Sequence, residues 1–219
     1  IRGVAHEWYR GKVIELWKMS DFVTENRLME SKDTVGADGS FELSLHINAT
    51  MPVYLKVENY AAQLYIQPDY VYSITFPEPD LSMSVNSDVE LPLNIGIIGG
   101  DSTELNALIF DFQRMYNNLF IPEDGRFLGH AAMFRRADSL HRLSEHRYRN
   151  VDNPYFKSYV TYFIASVNAA VSRGEMFLLG RYILGKPVLY GHYEYMRFFE
   201  SCFKGYFKRI ASRYPGQSL

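Results

Sequence analysis

The chain changes its apolar period at Gly99-Gly100, and that change limits what it can fold into more than any other feature. Before it, apolar residues recur at every second position, most regularly at Phe41, Leu43, Leu45 and Ile47. After it, Leu105, Leu108, Ile109, Phe112, Met115, Tyr116 and Leu119 recur at steps of three and four. A period of two is the signature of a strand with one buried face, and steps of three and four that of a helix. The expectation is an α+β chain: an antiparallel β-sandwich with a connecting strap over residues 1–100, then an all-helical domain over 101–219.

Within the first part, short alternating runs are separated by turn residues. Ile1–His6, Val13–Trp17, Val53–Val57, Leu64–Ile66 and Val71–Phe76 read as strands, and the polar stretch 20–34 reads as a loop or an edge strand. Asp38-Gly39 is the dipeptide that best favours a tight hairpin, and Phe41–Ile47 behind it is the most regular strand pattern in the chain. With turns every 8–12 residues, the pattern is that of a sandwich with antiparallel pairing throughout. Leu91, Leu93, Ile95, Ile97 and Ile98 read either as one last strand or as a strap toward the helices.

The helical part is punctuated by caps. Asp101 with Glu104 three residues later is a capping-box spacing and predicts a helix from Ser102 to about Phe120. A second helix is expected over Gly129–Tyr148, with a thin apolar face. Asn153-Pro154 is an N-cap followed by proline at the first helical position, where its missing N–H costs nothing. A short helix after Gly174 and a long one over about His192–Ser212 complete the set, the last stopped by Pro215-Gly216.

Composition narrows the function classes. With 47% hydrophobic and 22% charged residues the chain is globular rather than disordered. A single cysteine, Cys202, excludes an internal disulfide and a four-thiolate zinc site, yet is compatible with either side of a membrane. No run of 18 apolar residues occurs, and Ile1–His6 alternates like a strand, so either the protein is cytosolic or a leader precedes it. The net charge of −2 is unevenly divided: residues 1–100 carry 14 acidic and 7 basic side chains, residues 101–219 carry 11 and 16. That basic excess is too diffuse for nucleic acid, which would need a concentrated stripe with readout residues.

No Gly-x-Ser-x-Gly, phosphate-binding glycine loop or dinucleotide fingerprint occurs. Cys202 lies beside the apolar face of the last helix, where a buried thiol is inert. His130, His141 and His146 lie along one arginine-rich helix, but the last two are five apart where ligation on one helical face wants three or four, so no metal site is expected. Glu123-Asp124 reads as a turn rather than as an acid/base pair. Trp8, Tyr9 and Trp17 are aromatic candidates for glycan or peptide contact, against ordinary strand packing. The segment 126–149 concentrates positive charge: Arg126, Arg135, Arg136, Arg142, Arg147 and Arg149 against Asp138 and Glu145. Arginine suits planar carboxylate contacts, so these six form the expected partner-binding surface, facing the acidic sandwich, another domain or another subunit.

Several segments taken together, namely Asn106–Tyr116, Asn153–Phe156, Tyr162–Ala165 and Tyr195–Phe199 after the Ala37–Phe41 turn, carry a resemblance. The chain resembles the N-terminal region of TlpA/ResA-type thioredoxin-like envelope lipoproteins, in which a small β-sandwich of the DUF4369 kind and a helical segment precede a thioredoxin-like domain. The resemblance implies a periplasmic or outer-envelope location, membrane-anchored through a lipid upstream of this chain. It also implies a parent that is a thiol–disulfide oxidoreductase or derives from one. The family's Cys-x-x-Cys has no counterpart here, so no catalytic residue and no cofactor is carried over. The chain is expected to be a fragment, a non-catalytic binding or accessory module whose partner is a downstream thioredoxin-like domain or another envelope protein. The alternative is a free-standing glycan- or peptide-binding envelope protein.

Overall fold

The structure, a computed structural model, describes residues 1–22, 24–80, 90–122 and 128–213, with 204–213 by backbone alone. Contacts divide the chain into two compact units, Ile1–Ala107 and Leu108–Leu219, so the boundary falls seven residues beyond the expected one, inside the first helix.

The first unit is a sandwich of two sheets. One has the order β4 (Ser40–Glu42), β1 (Arg2–Ala5), β7 (Ser73–Phe76), β9 (Gly96–Ile97). The other runs β3 (Arg27–Thr34), β2 (Val13–Met19), β5 (Met51–Val57), β6 (Tyr60–Ile66), β8 (Leu91–Pro92). Alternation decides which side chains go inward: Ile14 and Leu16 of β2, Val53, Leu55 and Val57 of β5, and Leu64 of β6 are fully buried. From the four-stranded sheet Phe41 stacks on Phe76 at 5.1 Å between ring centres.

Exclusively antiparallel pairing is corrected. β1 runs parallel to β7 and β6 parallel to β8, so both sheets are mixed. The partners are far apart in sequence, and a long crossover allows a parallel pair that no local pattern announces.

Two further expectations change. The Asp38-Gly39 turn closes no hairpin, because β3 and β4 belong to different sheets. Gly39 takes φ +84° while its α-carbon lies so near the Ala5 carbonyl that an added Cβ would sit 2.4 Å from the oxygen, so the turn is a corner between sheets that only glycine can form. Phe41–Ile47 keeps alternating burial, but only Ser40–Glu42 is laddered. β4 is an edge, and two N–H groups of β4 and the residues just after it are taken by β3 side chains, Glu42 N by Asp33 Oδ2 (2.7 Å) and Ser44 N by Ser31 Oγ (3.4 Å). The polar stretch expected as loop or edge strand is β3, an edge. Past residues 81–89, which lie outside the described residues, the chain pairs briefly at the edge of each sheet, as β8 and then β9.

The helical half holds α1 (Leu105–Phe120), α2 (His130–Arg147), α3 (Pro154–Ala170), α4 (Glu175–Tyr182) and α5 (Tyr193–Arg213). α1 starts three residues later than expected. Asp101 Oδ1 accepts from Thr103 N at 2.7 Å, closing a turn, and Glu104 becomes the cap, its Oε2 accepting from Ala107 N at 2.9 Å. Asn153 caps α3 as expected, its Oδ1 accepting from Phe156 N at 3.0 Å, an interaction that stabilises by about 1 kcal/mol. In the second unit Phe112 meets Tyr159 and Phe163 edge-on. A second cluster gathers Tyr162, Ala165, Leu178, Tyr182, Tyr195 and Phe198 from α3, α4 and α5. The Glu123-Asp124 turn, Arg126 and Pro215-Gly216 lie outside the described residues.

Candidate functional site: a basic groove in the helical unit

Antiparallel succession brings the second half of α2 beside the first half of α3, and α4 turns back against both. Steps of three and four put His141, Ser144, Glu145 and Tyr148 on one side of a groove and Phe156, Lys157, Val160, Thr161 and Ile164 on another, with Arg149, Arg181, Tyr182 and Lys186 around them. The cavity is about 700 Å³, inside the range that takes a small-molecule ligand. Its floor is buried and apolar, through Phe156, Ile164 and Tyr182.

The rim is basic. Arg149, Lys157, Arg181 and Lys186 stand against one carboxylate, Glu145. Arg181 Nη2 lies 2.7 Å from His141 Nε2, and since a guanidinium can only donate, Nε2 is the acceptor and the ring proton sits on Nδ1. That proton faces Glu145 Oε2 at 3.3 Å, so Glu145, His141 and Arg181 form one chain of donors and acceptors. The imidazole nitrogen that a general base would use is thus occupied. Ser144, the hydroxyl of α2 that lines the groove, donates to the Leu140 carbonyl one turn back at 2.6 Å. The groove thus presents four cations around an apolar floor, and neither Ser144 nor His141 Nε2 is paired with the other as nucleophile and base.

Five of the six arginines of the expected surface lie among the described residues, and these five do not converge. Arg147 forks onto Asp111 of α1, with Nε and Nη2 each 2.7 Å from a carboxylate oxygen, and Tyr148 donates to the same carboxylate at 2.8 Å. Burial raises the Asp111 carboxyl, but hydrogen bonds from Arg147, Tyr148 and Arg114 outweigh it and hold the group below its ordinary range. Burial, then the Asp111 hydrogen bond, pushes the Tyr148 phenol far up. Arg136 donates to the Leu119 carbonyl in the last turn of α1. Arg135 and Arg142, seven apart, are exposed, Arg149 reaches the groove, and Arg126 lies outside the described residues.

Of the other candidates, Tyr9 and Trp8 pack within the sandwich, whereas Trp17 stays on its surface. Tyr9 is buried and its phenol, desolvated, is pushed up to about 12. Trp8 meets Tyr9 and Tyr60 edge-on under the Lys12 ammonium. Trp17 stays half-exposed on the outer face of the five-stranded sheet, opposite Tyr54 in register, with Nε1 donating to Glu15 at 2.9 Å. Burial raises the Cys202 thiol. Among the described residues no group of three or more His, Cys, Asp or Glu could hold a metal ion, and no helix is long and apolar enough to cross a membrane.

Sequence reasoning missed Lys157, Arg181 and Lys186. Their shared signal is a cation at each end of an apolar helical stripe, visible only once the helices are placed side by side. Comparison with family models, curated proteins and solved structures finds no match to this chain.

Proposed function

We propose that the chain is a non-catalytic binding or accessory module of a cell-envelope thioredoxin-like protein, a fragment whose partner is a downstream thioredoxin-like domain or another envelope protein. The observation that carries the binding role is the basic groove, where four cations ring an apolar floor and the only histidine is engaged by Arg181 and Glu145. The parent assignment draws its support from the order of architecture, a small sandwich followed by helices, which is the order the resemblance implies. The anchor and the periplasm-facing location belong to the same proposal. The test is the reading frame past Leu219 together with cell fractionation. A thioredoxin-like domain with Cys-x-x-Cys in that frame, and recovery with membranes, are the expected results; a different domain and a soluble protein would reject the parent.

A second reading, a free-standing glycan- or peptide-binding envelope protein, is favoured by one feature. On the outer face of the five-stranded sheet Trp17 and Tyr54 line a small pocket with Arg27, Lys56 and Glu90, a pairing of aromatic faces and planar polar groups suited to sugars. The Arg27 guanidinium lies 3.9 Å over the Tyr54 ring, so a sugar would first have to displace it. Loss of glycan binding in Trp17→Ala, with the fold intact, is the result this reading requires.

A further inference from the structure

The groove of the helical unit has two charged ends. Arg149 and Lys157 flank the α2–α3 turn, whereas Arg181 and Lys186 stand at and beyond the end of α4, which the Arg181–His141 contact ties to mid-α2. From His141 to the end of α2 the axis rises about 9 Å at 1.5 Å per residue, so the stretches of α2 beside the two ends of the groove lie on the order of 10 Å apart. Between them Val160 and Ile164 present only hydrocarbon. One cation at each end, Arg149 and Lys186, forms no ion pair with any described residue, and the Asp152 partner of Lys157 is itself fully exposed.

We infer that this groove binds an elongated dianion: two carboxylate or phosphate groups about 10 Å apart, joined by an apolar stretch that lies on the floor. The inference rests on the reading of the chain as a binding module and names its ligand chemistry. A single anion would neutralise one end and leave the other facing water, while a wholly polar ligand would desolvate the floor without replacing its contacts. Glu145 is the one carboxylate among the lining residues, and four cations outnumber it. A dicarboxylate and a peptide with acidic residues three apart in extended form share this chemistry.

The test is calorimetric titration of the purified chain with succinate, adipate, azelate and dodecanedioate, with nonanoate as monoanion and the blocked peptide Glu-Val-Val-Glu as peptide probe. Affinity is expected to rise along the dicarboxylates, peak near azelate at about tenfold over both succinate and nonanoate, and fall with added salt. Arg149→Gln and Lys186→Gln, both at exposed positions, should each bring azelate down to nonanoate while leaving circular dichroism and melting unchanged. Peptide binding at least as tight as azelate would assign the natural ligand to a protein segment, weaker peptide binding to a small molecule. Absence of saturable binding, or equal affinity for every chain length and for the monoanion, overturns the inference. The outcomes separate from those of the function: an empty titration leaves the parent assignment to the reading frame, and a frame without a thioredoxin-like domain leaves the dianion site standing.

Discussion

The side-chain amide of Asn106 completes the outer edge of β6 at Tyr65, with Oδ1 accepting from Tyr65 N and Nδ2 donating to Tyr65 O, both at 2.7 Å. Tyr65 opposes Pro52 across the β5–β6 pair, and its two main-chain groups point the other way, beyond the reach of β8, which pairs only with Tyr60 and Ala61. One fully buried amide thus does the work of a neighbouring strand residue, and Glu104 orients it by accepting from Nδ2 at 2.9 Å. Buried main-chain groups must be paired, so this contact is part of the sandwich core.

Replacing Asn106 with alanine leaves a buried donor and a buried acceptor unmet. The expected cost is about 2–6 kcal/mol, since each of the two groups costs roughly 1–3. Asn106→Asp should be no more stable than the alanine variant, because its second carboxylate oxygen would face the Tyr65 carbonyl and the Glu104 carboxylate, neither of which can donate to it. Equilibrium urea unfolding followed by tryptophan fluorescence reads this out, as both tryptophans lie in the sandwich. An alanine variant as stable as the parent would remove the structural role.

The arginines of α2 should fall into two classes. Arg135→Glu and Arg142→Glu together should leave the unfolding free energy within about 0.5 kcal/mol of the parent, as at ordinary surface positions. Arg136→Glu should cost about 1–2 kcal/mol, because it removes a donor from the Leu119 carbonyl and puts an anion at the negative end of α1. Thermal unfolding of the two variants decides the matter; equal effects would mean that the Leu119 contact contributes nothing.

Acid should destabilise the helical unit in two steps. His192 is buried, its Nε2 set 3.2 Å from the Tyr155 carbonyl and its Nδ1 without a partner, and burial lowers its pKa. The unfolded chain therefore takes up this proton first: stability is full above about pH 6.5 and declines as pH falls from there toward the lower folded value. Asp111, also depressed, acts further down, its stabilisation being complete above the ordinary carboxylate pKa of about 3.9 and lost as pH falls through the folded value. His192→Phe should flatten the first step and Asp111→Asn the second. Denaturation midpoints between pH 3 and pH 8 measure both, and an unchanged slope in either variant would exclude its group.

Cys202 should alkylate slowly. Its half-buried thiol is raised above the usual cysteine range, so at any neutral pH it holds less thiolate than a free cysteine. Iodoacetamide labelling followed by mass spectrometry should show a rate below that of glutathione at pH 7.5 and rising with pH. Labelling faster than glutathione would point to an activated thiol.

What was legible in the residues was whatever depends on neighbours in sequence. The switch of period at Gly99-Gly100, the Asn153-Pro154 cap and the alternating burial of Phe41–Ile47 all follow from spacings of a few residues. Even the late start of α1 is local chemistry read one step wrongly: Asp101 and Glu104 were both visible, and the shift lies only in which of them caps.

Periodicity thus determined that a sandwich precedes helices and which face of each strand turns inward, because the pleat and the helical turn are set by the chain within itself. Tertiary structure alone decided the parallel pairs β1–β7 and β6–β8, the use of Asp38-Gly39 as a corner between sheets, the pairing of Arg147 with Asp111 and of Asn106 with Tyr65, and the collection of Arg149, Lys157, Arg181 and Lys186 around one floor. Each of these joins residues tens of positions apart, and whether such a pair meets depends on how whole elements stack to bury their apolar faces, a property that no single stretch of sequence contains.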